Sequence, residues 1–192
     1  MALAGTPTAR LHTIAARAYG HLGNTTSAAA SAQLALAASE GDAPADELHD
    51  QIGGEFSFDA ARLARCLGSA YVSLKMAEPA EAQARQVLEL YGSDAPITRM
   101  PKVEIEARID LAHALILGGH LDAATESLSP VFELPQPQRV HGITKHLTGL
   151  RGALALPSFQ GSHEALDLGA RIEVYASELA GAIAPALPPS AG

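Results

Sequence analysis

Apolar positions along the chain fall into pairs of helical stripes divided by short turn signals, and one spacing returns along the sequence. Ala16, Tyr19, Ala28, Ala32, Ala35 and Leu36 are followed 52 residues on by Gly68, Tyr71, Ala80, Ala84, Val87 and Leu88, and after 44 more by Ala112, Leu115, Ala124, Leu128, Val131 and Phe132. In each copy a small residue stands three positions before Tyr or Leu, which sets both on one helical face and lets a neighbour approach closely. Nine positions after that Tyr or Leu, another small residue opens a second helix whose apolar stripe faces back. Each copy therefore predicts an antiparallel helical hairpin, and three in tandem predict a repeat architecture.

The turns support the same reading. Gly23 and Gly119 stand between the two helices of copies one and three, where a positive φ ends a helix cheaply. Copy two has Lys75 there, followed by Met76-Ala77-Glu78-Pro79, with Pro79 suited to the first turn of the next helix. The predicted helices are 8–22 and 26–39, 59–74 and 79–91, and 102–117 and 121–133. They give repeats at 8–39, 59–91 and 102–133.

A weaker fourth pair carries Val140, Ile143, Leu147, Leu150 and Leu154 within 138–155, then Ala165, Leu168, Ile172, Tyr175 and Leu179. It lacks the small-residue signature and is expected to cap the stack over 138–180, because the last hairpin must cover its apolar face with something atypical. The expected fold is all-α, with about eight helices in a single domain over 1–184. The Pro-rich tail, 185–192, is expected to be disordered. Residues 41–58 form a long connection in which Asp59 is the expected N-cap of the next helix and Phe56 or Phe58 the anchor.

Composition sharpens this picture. Nearly half of the residues are apolar, while aromatics are few and Trp is absent, so Ala and Leu carry the core and favour packed helices over sheets. A lone Cys66, flanked by Leu63, Ala64 and Leu67, excludes an intramolecular disulfide and is expected to be a buried thiol in a reducing cytoplasm. The N-terminal segment has no signal-peptide pattern, and no stretch approaches the roughly 20 apolar residues that span a bilayer. The formal charge of −8 is concentrated in residues 40–59, which hold seven acids and no Lys or Arg. The remainder is near neutral, which argues against direct nucleic-acid binding.

The spacing of small residue, Tyr, turn Gly, two Ala positions and Ala-Leu pair resembles the tetratricopeptide repeat (TPR), with three units over roughly residues 8–134. Leu115 replaces the Tyr in the third, and the intervals of 52 and 44 exceed the family's unit, so the resemblance is TPR-like. It implies a right-handed stack of antiparallel hairpins, an α-solenoid. Two stretches, Leu11 to Gly23 and Gly53 to Arg65 leading into Gly68-Ser-Ala-Tyr71, are similar to the C-terminal region of actinobacterial XRE-type helix-turn-helix regulators. That similarity implies ligand sensing or dimerisation within a transcription-regulator lineage. No helix-turn-helix segment is read ahead of the first repeat, so it carries DNA binding onto no residue.

Stacks of this kind bind guests in the groove made by the first helix of each pair. On those helices Arg10, Thr13, Arg17, Arg62, Arg65 and Ser69 occupy faces away from the small-residue seam, with His113 as a further groove residue. Arg grips carboxylates through paired hydrogen bonds, so an acidic peptide or a free C-terminus is the expected guest. The competing expectation is that the acid-only segment 40–59 neutralises these arginines, as surface pairs or as a lid. The eight histidines include no i, i+4 pair and no HExxH element, so no metal is expected. No G-x-S-x-G turn or phosphate loop is present, and the expected role is non-enzymatic and needs no cofactor. The function expected is binding of a protein or peptide, or of a second copy of the chain as a homodimer. The alternative is a small-molecule sensor with an apolar pocket near Phe56, Phe58 and Tyr71.

Overall fold

The computed structural model describes residues 6–40, 58–95, 97 and 99–183. Among these the chain is all helical: α1 (Thr6–His21), α2 (Thr25–Glu40), α3 (Ala60–Ser73), α4 (Ala77–Gly92), α5 (Pro101–Leu117), α6 (Leu121–Phe132), α7 (His141–Thr148), α8 (Leu150–Leu154) and α9 (His163–Ile183). The helix ends lie within two residues of the predicted ones in the three repeats. The expected roles of Phe56, of the acid-rich segment across 41–57 and of the tail 185–192 lie outside the described residues.

Three hairpin turns share one geometry. The amides of Gly23, Lys75 and Gly119 donate to the carbonyls of Gly20, Val72 and Ile116, and the next amides reach back to Tyr19, Tyr71 and Leu115. These paired bonds satisfy the carbonyls left over at a helix C-terminus. All three turn residues are left-handed, with φ of 69°, 58° and 84°. Lys75 therefore adopts the conformation that the glycines take in the other copies, and the hairpin is kept without a glycine.

Starts of helices are equally legible. Asp59 caps α3 by accepting from the Arg62 amide at 3.0 Å, as the sequence predicts, and Asn24 does the same for the Ser27 amide ahead of α2. Pro101 opens α5, where its missing N–H costs nothing.

The second-helix stripes fall where the period places them. Ala28, Ala32 and Ala35, then Ala80, Ala84 and Val87, then Ala124, Leu128 and Val131 are all buried. The first helices of the hairpins lie side by side, α1 on α3 and α3 on α5, while α4 packs on α5. One cluster joins Ala16, Ala32 and Ala35 to Leu63, Leu67 and Ala70, with Phe58 packed against it. A second joins Ala61 and Ala64 to Val87, Val103 and Ala107. Of the two proposed anchors, Phe58 packs against the stack, while Phe56 lies outside the described residues.

The chain divides into two compact units, Met1–Leu128 and Ser129–Gly192, where the periodicity reading has one domain. The helices read as a cap have a core of their own. Ile143, Leu147 and Leu150 are buried, as are Leu168, Ile172 and Tyr175, and α9 packs on α7 and α8. Arg139 fastens this unit: its guanidinium lies 4.6 Å from the Tyr175 ring centre, donates to the Leu134 and Phe132 carbonyls, and pairs with Glu178. The single helix predicted across 138–155 is divided into α7 and α8 at Gly149. Its amide is shared between the Lys145 and His146 carbonyls, so the helix tightens there.

Candidate functional site

A cavity of about 260 Å³ opens on the face made by α1, α3 and α5. Five of the seven groove residues read from the sequence line it: Arg10, Thr13 and Arg17 from α1, with Arg62 and Arg65 from α3. Lys102 and Glu106 of α5 complete the charged lining, and Ile14, Phe58, Cys66, Met100 and Val103 supply the rest. Five cationic side chains thus surround the cavity with a single carboxylate among the described lining residues.

Each cation is held differently. Arg65 pairs through Nη2 with Glu106 Oε2 at 2.7 Å, and both side chains are largely buried. Its Nε is buried with no acceptor among the described residues, as is Nε of Arg17. The Arg62 guanidinium touches the Met100 sulfur, while its amide is used in the α3 cap. Arg10 and Lys102 are exposed at the rim.

Met100 is itself fixed by Tyr91, whose hydroxyl donates to the Met100 carbonyl at 3.1 Å and accepts from the Met100 amide at 2.9 Å. Burial pushes the Tyr91 phenol above its ordinary pKa of 10.0, against the opposing pull of the hydrogen bond to the Met100 backbone. It therefore stays neutral at physiological pH and holds the cavity wall as a hydrogen-bonding staple.

Two of the predicted groove residues lie elsewhere. Ser69 is buried, one turn past Arg65, and its carbonyl accepts from Ser73 Oγ at 3.0 Å. At that end α1 and α3 converge, because Gly20 lets the backbones meet. A Cβ there would stand 2.9 Å from the Ala70 carbonyl oxygen. His113 on α5 is half-buried and outside the lining. Thr13 is fully buried, and its hydroxyl donates to the Arg10 carbonyl at 2.8 Å, so it shapes the floor and offers no free hydroxyl to a guest.

Cys66 departs from expectation. The apolar seam of α3 runs through Leu63, Ala64, Leu67 and Ala70, which leaves Cys66 one turn beyond Arg62, half-buried and lining the cavity. Glu106 was missed by the sequence reading, although a signal existed. It stands 44 residues after Arg62, which stands 52 after Arg10, so all three share one register position. Ile14 and Cys66 are related by the same 52-residue step.

Among the described residues no cluster of three or more His, Cys, Asp or Glu has a metal-holding arrangement, and no helix is long and apolar enough to cross a membrane. No protein-family model, curated protein or solved structure matches the chain.

Proposed function

We propose that this chain is an interaction module that binds an anionic segment of a protein or peptide on the α1–α3–α5 face. The observation that carries this is the gathering of Arg10, Arg17, Arg62, Arg65 and Lys102 around one cavity, against a single carboxylate among the described lining residues. A cleft lined mainly by one sign of charge attracts the opposite sign, so the cavity is predisposed to an acidic ligand. The TPR-like spacing and the similarity to regulators of the XRE type support a place in a bacterial transcription-regulator lineage, in the cytoplasm, as an interaction or sensor region.

A second reading, a small-molecule sensor, is favoured by Ile14, Phe58, Met100 and Val103, which give the same cavity an apolar wall. The mixed lining speaks for an anionic guest with an apolar part over a wholly apolar one.

The test is an array of acidic decapeptides beside their Gln and Asn counterparts, read by fluorescence anisotropy with the intact chain. Binding of the acidic set alone, weakened about tenfold or more in the Arg17→Ala, Arg65→Ala variant, is expected, a tenfold change being about 1.4 kcal/mol. Equal binding of the neutral set, or no change in the variant, would move the interaction away from this face.

A further inference from the structure

We infer that the outer face of the first hairpin is a two-fold contact with a second copy of this chain, made by Leu11, Ala15 and Ala18 of α1 and by Leu22 in the turn that follows. The contact is independent of the cavity.

Register identifies the face. Leu63, Leu67 and Ala70 of α3 lie in one cluster with Ala16, Ala32 and Ala35, so they face the hairpin before them. The same positions of α5, 44 residues on, are Ala107, Leu111 and Ala114, and all three are buried. Ala107 packs with Ala61, Ala64 and Val87, and Ala114 with Val72 and Ala80, all of the second hairpin. In α1, 52 residues before α3, these positions are Leu11, Ala15 and Ala18. There Leu11 and Ala18 are exposed and Ala15 is half-buried. Leu22 prolongs the stripe: its amide still donates to the Ala18 carbonyl at 3.1 Å, in helical register, and its side chain is exposed. Helix α1 thus presents to solvent the face that α3 and α5 bury.

Symmetry identifies the occupant. The steps between the four residues are four, three and four, and the series Leu-Ala-Ala-Leu reads the same from either end. An antiparallel second copy therefore sets Leu11 of each copy on Leu22 of the other, and Ala15 on Ala18. The central alanines let the helices approach, the leucines close both ends, and identical patches meet as a two-fold axis requires. Faces covered by a hairpin of the same chain lack this symmetry: they read Leu63, Leu67, Ala70, Leu74 in α3 and Ala107, Leu111, Ala114, Gly118 in α5. Among the described residues, six of the nine exposed large hydrophobic side chains lie between Leu11 and Leu36, and clustered apolar surface of this kind marks a contact site. The four stripe positions carry no charge, while Arg10 and Arg17 lie on another side of α1, lining the cavity.

Sedimentation velocity of the intact chain across micromolar concentrations is expected to show a monomer–dimer equilibrium, in the weak range of a small interface. Leu11→Asp and, separately, Leu22→Asp are expected to raise the dissociation constant at least about tenfold, because each buries a carboxylate without a partner. Leu166→Asp, at an exposed leucine of α9, should leave it unchanged, and thermal melts of dilute samples confirm that each variant folds. The pairing is read in a Cys66→Ala background. An equal mixture of Leu11→Cys and Leu22→Cys chains should oxidise to a disulfide-linked heterodimer. Either chain alone should not, since its two cysteines stand about 16 Å apart along the helix axes, beyond the roughly 7 Å between Cα atoms that a disulfide spans.

A chain that stays monomeric throughout overturns the inference, and maleimide labelling of Leu11→Cys then separates cover by a segment of the same chain, if slow, from an uncovered face, if fast. Open-ended association into larger species overturns it as well. So does self-linking of either cysteine chain in preference to the mixture, or a Leu166→Asp variant as damaging as Leu11→Asp.

Discussion

Helices α1 and α5 hold the same place in the repeat, yet they solve different packing problems. Within α1 burial is confined to Ala9, Thr13, Ala16 and Gly20, a single stripe, and Leu11, Ile14 and Tyr19 stay exposed. Within α5 eleven of seventeen residues are buried, on every side of the helix, including Glu106 and Asp110. A helix apolar all round belongs in an interior. Helix α5 is flanked by α3 and α4 and tied to α6 through the Ser127 hydroxyl, which donates to the Arg108 carbonyl at 3.0 Å. The lesson is that the repeat spacing sets which residue faces the seam, while the neighbours an element acquires set how much that residue contributes.

The largest effect is expected in the interior of α5. Ile109 is fully buried, and Ile109→Ala should cost about 2–5 kcal/mol, read as a lower urea midpoint of the first unit. A cost below 1 kcal/mol would remove the distinction between the two helices.

Next comes the charged contact by which α5 reaches the cavity. Glu106→Gln keeps the shape but removes the charge facing Arg65, and a loss of about 1.5–3 kcal/mol is expected, the range for hydrogen bonds to charged groups. The same variant should bind anionic guests more tightly, since it removes the one carboxylate among the described lining residues. Stability and affinity moving together in one direction would contradict the arrangement.

Smaller changes are expected at the turns. Lys75→Gly relieves a left-handed backbone and should stabilise the second hairpin by about 0.5–1 kcal/mol, net of the added freedom of the unfolded chain. Gly23→Ala should cost about as much in the first hairpin, since both turns carry the same bonds. A thermal-melt comparison reads both signs. The smallest effect belongs to α1: Leu11 is 67% exposed, and Leu11→Ala should shift the stability of the dilute monomer by less than about 0.5 kcal/mol. A larger loss would show that the exposed residues of α1 are covered in solution.

What the sequence by itself determined is the local frame. The small-residue period located three hairpins, their turns and nine buried stripe positions, because helical periodicity and C-terminal turn geometry are properties of short segments. It also placed Arg10, Arg17, Arg62 and Arg65 on one side of their helices. Only the tertiary structure decided which of these share a cavity. The close approach of α1 and α3 at Gly20 shuts Ser69 away, and the packing of α3 on α5 brings Lys102 and Glu106 to the arginines. It likewise turned Cys66 out of the seam and gave the last three helices a core of their own. Those outcomes depend on distances between segments far apart in the chain, which no local pattern encodes.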